Sequence, residues 1–279
     1  MCLLESLNHC FMPKLISNME EEIKENSFSI IIPTAERKNL VQKAIKSVQN
    51  QLYQNWELIV VDDGSTDGTK EMLEEIAKED DRIKIIRHEV RQQRVKTRND
   101  GMKMAKNDWI CWLDSDDEYV RTYLDSLNWA INEYPEYRIF HFATMVCKLR
   151  YYTVRETFDI KEEGDGMEKF KSGGIGAGSF IFKRELLDEV GYLPEPERNT
   201  PYAFSDLAKQ TTPEIMEWYG PLYLEGGKEL GNPWGEDWYM FYRLTRKNKS
   251  KGLPFILYLN YIRRSGFIHQ DDDLRRLAR

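Results

Sequence analysis

The chain has 279 residues and a formal net charge of -7, from 40 Lys and Arg residues against 47 Asp and Glu residues. This modestly acidic balance argues against a nucleic-acid groove as the main binding site, because phosphate binding needs a concentrated basic face. The length is sufficient for a large core, and leaves open one large domain or one domain with an elaborated C-terminal part.

The cysteines and the apolar runs indicate a cytoplasmic protein. Cys2, Cys10, Cys111 and Cys147 include no C-x-x-C pair, so we expect reduced thiols and neither a disulfide frame nor a zinc site. No apolar run reaches the roughly 18 residues that span a bilayer. The first residues lack the basic region and apolar core of a signal peptide. We therefore expect a cytoplasmic protein, which could act at the inner face of the membrane through peripheral association.

After an N-terminal extension, residues 1–26, the chain reads as alternating strands and helices. Strands are predicted at 28–33, 56–61, 82–87 and 109–113, and helices at 38–52, after 69 and at 94–106. The first helix carries one apolar stripe, and 82–87 alternates charged and apolar residues as an edge strand does. This alternation predicts an α/β fold whose mostly parallel central sheet is flanked by helices, with right-handed crossovers.

The second half is less regular. Helices are predicted at 119–132, 183–190 and 236–243, and strands at 138–143, 148–158, 180–182 and 253–261. Prolines interrupt a variable loop at about 192–233. We expect a single domain, 27–279, in which 28–120 is the nucleotide-binding half and 121–279 a mixed, less regular half.

Two of the predicted strands end in carboxylates. Their sequences are VVDDGSTDG at 60–68 and WLDSDD at 112–117. In open α/β sheets, ligands bind just beyond the carboxyl ends of strands, and clustered carboxylates repel one another unless a cation or hydrogen-bond donors lie between them. Either stretch alone favours a turn that caps the next helix. Both together indicate a ligand site.

The order of motifs resembles glycosyltransferase family 2. The matching stretches are SIIIPT at 29–34, QLYQNWELIVVDDGSTD at 51–67, TRNDG at 97–101 and LDSDD at 113–117, with weaker matches at 178–184, 189–191 and 236–237. The resemblance implies the GT-A fold and an inverting sugar transfer from a nucleoside diphosphate sugar, most simply a UDP-sugar. It also implies a hydroxyl acceptor on a glycan or lipid-linked saccharide, with 121–279 as the acceptor-binding half, and a divalent cation, Mn²⁺ or Mg²⁺.

The resemblance also implies roles for the strand-end residues. Asp63 would accept the ring N–H of the nucleotide base, while Asp62 either contacts the donor or holds its loop by accepting backbone N–H bonds. Asp114, with Ser115, would reach the ribose and Asp116 the cation. Hard cations need only one or two protein carboxylates beside phosphate oxygens and water. The next residue, Asp117, is expected to cap the helix that begins near residue 119.

The catalytic base is expected in the second half. Asp237 matches the family's base, which deprotonates the acceptor hydroxyl opposite the leaving group. Glu236 either belongs to the same motif, binds the acceptor or is a first-turn acid favoured by the helix dipole. Trp238 either stacks on a sugar face or packs in the core.

Other donor-side residues are carried over from the matching strings. Pro33 and Thr34 lie in SIIIPT, Arg98 lies in TRNDG, and Arg94 either contacts the diphosphate or faces solvent. His269 is a second candidate metal ligand, or a surface or packing residue. The family usually has an aromatic residue and then Asn after Pro-Thr, where this chain has Ala35 and Glu36, so base stacking from that position is lost.

Two other functions stay open from the sequence. A sugar nucleotidyltransferase would share the nucleotide half and a metal aspartate, but 32–37 lacks its glycine-rich loop. A non-catalytic nucleotide-sugar-binding protein is compatible with Ala35 and Glu36, while the intact acidic motifs favour an enzyme.

Overall fold

The computed structural model describes residues 23–147, 152–155, 177–193, 195 and 236–261. Its strands are β1 (Phe28–Thr34), β2 (Trp56–Asp62), β3 (Ile83–Arg87), β4 (Trp109–Trp112), β5 (Glu118–Tyr119), β6 (Ile139–Cys147), β7 (Tyr152–Arg155), β8 (Phe180–Lys183) and β9 (Lys251–Tyr261). Its helices are α1 (Lys38–Gln49), α2 (Thr69–Glu79), α3 (Gln93–Met104), α4 (Tyr123–Glu133), α5 (Leu186–Val190) and α6 (Glu236–Thr245). A short 3-10 turn, Ala177–Ser179, precedes β8.

The strands form one mixed sheet in the order β3-β2-β1-β4-β8-β6-β9-β5, and β7 pairs with β6. β1 is parallel to β2 and β4, and β2 is parallel to β3. β8 is antiparallel to both β4 and β6, so β6 and its parallel neighbour β9 run in the direction of β4. The mostly parallel sheet expected from the alternating pattern is confirmed, and β3 is an edge strand as predicted.

Helices cover both faces of this sheet and form two cores. One core joins α1, α2 and α4 to the sheet, around residues such as Ile45, Leu73 and Leu127. The other joins α3, α5 and α6 to the opposite face, around Met102, Leu186 and Phe241. Strands that are buried on both faces become near-continuous apolar runs, which explains the sequences of β1, β2 and β4.

Helix α3 lies unusually close to the sheet at Gly101. A Cβ atom there would lie 2.4 Å from Cγ2 of Ile31. Only glycine permits this approach without a shift of β1 or α3. The close contact fixes how α3 packs on β1. Helix α3 carries Arg98 and Asp100 toward the edge of the sheet where β1, β2 and β4 end, which we call the carboxylate edge.

Several predicted boundaries were wrong, and three of them have clear structural reasons. Helix α1 ends at Gln49, so Leu52 lies outside it and is half-exposed. β1 continues through Pro33 to Thr34, since the strand extends beyond its pairing with β4 there and the missing N–H of proline costs no bond on that side. The helix predicted from residue 119 begins at Tyr123, because Glu118–Tyr119 pairs with β9 instead.

The predicted antiparallel ribbon is present in β6 and β7, where Thr144 pairs with Arg155 and Cys147 with Tyr152. Within the parts of the chain that the structure describes, no helix combines the length and apolar character needed to cross a membrane. Cys111 and Cys147 are free thiols, as predicted, and Cys111 is buried. Cys2, Cys10 and, within the predicted variable loop of about 192–233, residues 194 and 196–233 lie outside the described residues.

Candidate donor-binding and catalytic site

The two acidic stretches meet at one edge of the sheet. β1 and β2 are in register to their ends, where Thr34 pairs with Asp62, and the amide of Asp63 donates to the carbonyl of Thr34 at 2.8 Å. On the other side of β1, the amide of Leu113 donates to the carbonyl of Ile31 at 3.0 Å. The parallel register therefore places 62–63 and 114–116 on either side of the end of β1.

Asp62 holds the loop after β2. Its carboxylate is 1% exposed, accepts the backbone N–H of Ser65 at 3.2 Å and forms an ion pair with Arg87 of β3. These contacts agree with the second of the two predicted roles, in which Asp62 holds its loop by accepting backbone N–H bonds.

Asp63 lies at the centre of a hydrogen-bonded network. Oδ1 of Asp63 is 2.8 Å from Nδ1 of His88 and accepts the backbone N–H of Gln92 at 2.7 Å. The other ring nitrogen of His88, Nε2, is 2.9 Å from Oδ2 of Asp100. Oδ1 of Asp100 accepts from Lys96 of α3. Burial raises the pKa of Asp100, but the bonds from Lys96 and His88 outweigh it and the net pKa is lowered. Sequence reasoning missed His88, since no motif marks it.

Arg98 connects α3 to the second acidic stretch. Its side chain is 1% exposed, donates through one guanidinium nitrogen to Oδ1 of Asp114 at 2.8 Å, and lies over the ring of Trp112 at 4.6 Å. A buried guanidinium needs such a charge partner and an aromatic face, because its desolvation is costly. Arg98 thereby orients Asp114, whose side chain stays 32% exposed.

Arg37 contacts the other two residues of the same motif. One of its guanidinium nitrogens is 3.1 Å from Oδ1 of Asp116 and 3.3 Å from Oγ of Ser115. Asp116 is 26% exposed and Ser115 is buried. Sequence analysis did not identify Arg37 as a site residue, although its position three residues after Thr34, at the end of β1, was an available signal.

Asp117 has a different role from the predicted helix cap, which was wrong. Its carboxylate accepts hydrogen bonds from the hydroxyl of Tyr258, from Nδ2 of Asn260 at 2.9 Å and from the backbone N–H of Tyr261 at 2.8 Å. Burial, with the charges of Asp114 and Asp116, raises the pKa of Asp117 to about 7. The reason for the difference is that β5 occupies the place of the predicted first helical turn and turns Asp117 toward β9.

The residues at this edge fit a divalent cation with substrate-supplied ligands. In the described ranges no three His, Cys, Asp or Glu side chains are grouped as a complete metal site. Asp116 nevertheless offers a partly exposed hard carboxylate beside that of Asp114, and Mg²⁺ or Mn²⁺ binds through one or two carboxylates plus phosphate oxygens and water. Because Asp114 and Asp116 both raise the pKa of Asp117, the edge concentrates negative charge, which a cation would relieve.

Glu36 joins the loops that follow β1 and β2. Its backbone has a φ of 54°, in the left-handed region, and its amide donates to Oγ of Ser65 at 2.9 Å. Its carboxylate accepts from both the amide and the hydroxyl of Thr66. At this departure from the family's usual residues, Glu36 therefore has a structural role that clamps the two loops.

Thr34 and Pro33 are buried at the end of β1. Among the described residues, Oγ1 of Thr34 has no hydrogen-bond partner. A buried hydroxyl in this state costs free energy unless a ligand or water satisfies it. Thr34 is therefore available to a ligand at the carboxylate edge.

Two contacts give the direction of α6. Asn248, just after α6, accepts from Arg138 at the start of β6, so the end of α6 lies at the opposite sheet edge. Phe241 packs on Phe180 with ring centroids 5.0 Å apart. A ten-residue helix is about 15 Å long, so the first turn of α6, which contains Asp237, lies nearer the edge where β4 ends than its last turn does.

The remaining predicted site residues lie in α6, in α3 and near the C-terminus. Glu236 is the first residue of α6 and Trp238 lies in its first turn, and the structure describes only their backbone. Arg94 is exposed on the first turn of α3. His269 lies outside the described residues.

Curated relatives of this chain are glycosyltransferases. It is 33% identical over 160 residues to GalNAc(5)-diNAcBac-PP-undecaprenol beta-1,3-glucosyltransferase of Campylobacter jejuni, covering 57% of this chain and 47% of that protein. It is 37% identical over 170 residues to UDP-Glc:alpha-D-GlcNAc-diphosphoundecaprenol beta-1,3-glucosyltransferase WfgD of Escherichia coli, covering 59% of this chain and 63% of that protein. The chain thus spans less than two thirds of the length of either relative.

Solved structures share the fold at low identity. TarS from S. aureus in complex with UDP-GlcNAc aligns with a TM-score of 0.61 and 19% identity, over 86% of this chain and 59% of that one. The mannosyltransferase PcManGT from Pyrobaculum calidifontis, in complex with GDP-Man and Mn²⁺, aligns with a TM-score of 0.52 and 16% identity, over 87% of this chain and 59% of that one. The GT-A fold expected from the motifs is therefore confirmed.

The family model described as "Glycosyl transferase family 2" matches residues 29–191, more than half of the chain. This range contains both acidic stretches, the buried Arg98 and the strands that bring them to one edge. The chain belongs to glycosyltransferase family 2.

Proposed function

We propose that this protein transfers a sugar from a UDP-sugar to a hydroxyl group of a lipid-linked saccharide, with inversion at the anomeric carbon. The observation that carries the proposal is the convergence of 62–63 and 114–116 at one edge of a parallel sheet. Such an edge is where open α/β sheets bind nucleotides. Two relatives are named for glucosyl transfer to undecaprenol-linked sugars, which supports the acceptor class.

In this proposal the donor binds along the carboxylate edge. Asp63 accepts the ring N–H of uracil, while Asp62 keeps the loop beneath it closed. Thr34, whose buried hydroxyl lacks a partner in the described residues, forms a hydrogen bond with the UDP-sugar. Asp114 accepts a ribose hydroxyl and is held for this by Arg98. Pro33, Ser115 and Arg94 complete the donor-side residues.

Asp116 would hold a divalent cation, with His269 as a second candidate ligand. When bound, the cation supplies charge neutralisation at the departing diphosphate. The structure of PcManGT is a complex with GDP-Man and Mn²⁺, which supports this part of the proposal. Arg37, close to Asp116, adds a positive charge at the same place.

Asp237 is the proposed catalytic base. Its carboxylate would take the proton of the acceptor hydroxyl as the oxygen attacks the anomeric carbon and the bond to the diphosphate breaks on the opposite face. This single displacement inverts the anomeric configuration. Glu236 would bind the acceptor or assist Asp237, and Trp238 would stack on a sugar face. We expect the reaction at the cytoplasmic face of a membrane, where lipid-linked saccharides are accessible.

The test compares the wild type with two variants. UDP-glucose and UDP-GlcNAc are offered with Mn²⁺ and an undecaprenyl-diphosphate-linked GlcNAc acceptor, and product formation and donor binding are both measured. Asp116→Ala should lose donor affinity and activity together. Asp237→Asn should lose transfer by roughly 10²- to 10⁴-fold while donor affinity is retained. Asp81→Asn, exposed on the turn before β3, is the matched control and should behave as the wild type.

Each other outcome has a defined meaning. Donor binding by the wild type without transfer or hydrolysis of any common UDP- or GDP-sugar would favour the non-catalytic binding protein. A large loss of donor affinity in Asp237→Asn would place this residue on the nucleotide side and contradict its role as base.

A further inference from the structure

The imidazole ring of His88 bridges two carboxylates. Nδ1 is 2.8 Å from Oδ1 of Asp63, and Nε2 is 2.9 Å from Oδ2 of Asp100. The ring is 10% exposed and follows directly after β3. Its backbone N–H donates to the carbonyl of Asp62 at 2.9 Å, which extends the β2–β3 pairing and fixes where the ring can reach.

This geometry favours a charged ring. A neutral imidazole has one N–H, so it donates to one carboxylate and turns a lone pair toward the other. The imidazolium donates to both. The alternative is a neutral ring beside a protonated carboxyl group. It is disfavoured because both acids accept other hydrogen bonds that favour their ionised forms: Asp63 from the amide of Gln92 and Asp100 from Lys96.

The charges around His88 come from four segments. β2 and its following loop contribute Asp62 and Asp63, β3 contributes Arg87, which pairs with Asp62, and the loop before α3 contributes Arg91, whose Nε is 4.0 Å from Oδ2 of Asp63. Helix α3 contributes Lys96, Asp100 and Lys103, whose Nζ is 3.9 Å from Oδ1 of Asp100. Histidine is the type of side chain that ordinarily changes its charge near neutrality, and the other groups named here are carboxylates, arginines and lysines.

We propose that His88 is a positioning residue that must be protonated for tight binding of the donor nucleotide, so that donor affinity falls as the pH rises. The inference rests on the proposed function of Asp63 as the acceptor for the base. His88 acts through Asp63 and does not itself touch the donor.

Two physical effects give the same sign. Loss of the proton removes one of the two bonds, so the bridge from Asp100 through His88 to Asp63 is broken and Asp63 is held less firmly when it must meet the base. It also removes a positive charge near the binding site of an anionic donor, and that weakens the attraction at low local dielectric. Both effects are present when the ring is charged and are lost as the pH rises through its titration.

The test is the pH profile of donor binding. UDP-glucose is suitable because its diphosphate diester keeps a constant charge between about pH 5.5 and 8.5, the range in which histidine titrates. Calorimetry with Mg²⁺ should show wild-type affinity falling on the order of tenfold across this range, comparable to the loss of one charge-assisted hydrogen bond. The midpoint should coincide with the loss of the His88 proton, followed by NMR of the ring.

Two variants separate positioning from general stability. His88→Asn retains a neutral donor near the place of Nδ1, so its affinity should not fall as the pH rises and should stay close to the wild-type affinity at high pH. Asp100→Asn removes the second carboxylate, which lets a neutral ring satisfy both neighbours, so affinity should stay high and should not fall as the pH rises. Asp80→Asn removes a carboxylate whose pKa is lowered by Arg82 at the far sheet edge, and should keep the wild-type profile.

The failures are distinguishable. A wild type that binds UDP-glucose equally at all pH values, or variants that keep the wild-type slope, would overturn the role of His88 while leaving the proposed function intact. No binding of any UDP-sugar at any pH would contradict the donor proposal and this inference together.

Discussion

Neighbouring carboxylates at the candidate site have different partners. Asp62 and Asp117 point into the protein and hold loops, whereas Asp114 and Asp116 remain partly exposed beside arginines. Asp63 is buried but belongs to the network of His88. At the residue scale, therefore, the hydrogen-bond and ion-pair partners of each carboxylate determine its role. Adjacent positions in the chain can serve structure and binding separately.

Arg37 gives a prediction at this scale. A cation that binds Asp116 must share or displace the guanidinium that lies 3.1 Å from its Oδ1. We expect Arg37→Gln to bind Mn²⁺ about two- to fivefold more tightly in the absence of donor, since a partly exposed ion pair is worth up to about 1 kcal/mol. Electron paramagnetic resonance of free Mn²⁺ measures this affinity.

Lys43→Gln is the matched control for Arg37→Gln. It removes the same charge from the exposed face of α1 and should change Mn²⁺ affinity little. Unchanged or weaker Mn²⁺ binding by Arg37→Gln would mean that Arg37 does not compete at Asp116.

At the scale of elements, Glu57 joins three strands from inside the sheet. This residue of β2 accepts from Oγ of Ser29 in β1 at 2.7 Å, from the amide of Lys106 after α3 at 2.7 Å, and from Lys84 in β3. Burial raises the pKa of Glu57, but these bonds outweigh it and the net pKa is lowered. The ionised side chain therefore stabilises the packing of β1, β2 and β3.

The predicted effect of Glu57→Gln depends on pH. Because the folded-state pKa is lowered, the stabilisation is present above the usual value of 4.5 and is lost as the pH falls through the folded-state value. The variant should be less stable by about 1–3 kcal/mol at pH 7, and the difference from the wild type should shrink in acid. Urea unfolding at pH 7 and at an acidic pH below the usual value of 4.5 measures this difference in stability.

The control for Glu57→Gln is Glu75→Gln on the exposed face of α2. It should be nearly neutral at both pH values. If the difference between Glu57→Gln and the wild type were the same at pH 7 and in acid, the ionised form of Glu57 would not be the source of the stabilisation.

At the scale of the whole molecule, one buried carboxylate joins the two halves of the domain. Asp117 follows the second acidic stretch and accepts from Tyr258, Asn260 and Tyr261 at the end of β9. The ring of Tyr258 packs so closely on Gly178 that a Cβ atom there would lie 1.7 Å from the ring. The position of the 114–116 stretch therefore depends on residues more than 140 positions later.

Tyr258→Phe tests this connection. The variant keeps the packed ring and leaves the buried carboxylate of Asp117 without one donor, which should destabilise the fold by about 1–3 kcal/mol. It should also weaken UDP-glucose binding, because the loop that carries Asp114 and Asp116 is less well held. Thermal unfolding and calorimetry measure the two effects.

Tyr192→Phe, at a tyrosine that is 40% exposed, is the control and should be close to neutral in both measurements. A Tyr258→Phe variant with wild-type stability would show that the hydroxyl bond does not contribute to holding the two halves together.

Much of the fold was determined by the sequence itself. The apolar runs of β1, β2 and β4, the apolar stripe of α1 and the charged alternation of β3 each follow from local periodicity, so their type and order were predicted and found. The acidic stretches were also placed correctly, because parallel strands that alternate with helices must end at the same sheet edge. Pattern alone was therefore enough to predict the α/β architecture and the location of the candidate site.

Only the tertiary structure decided which side chains meet. The bridge from Asp63 through His88 to Asp100, the contact of Arg37 with Asp116 and the bonds from β9 to Asp117 join residues with no common periodicity. Local signals read Asp117 as a helix cap and 119–122 as helical, but pairing of β5 with β9 overrode them. Side-chain partners depend on sheet order and on packing at distances that the chain spacing does not encode, and these set the charge and orientation of each carboxylate.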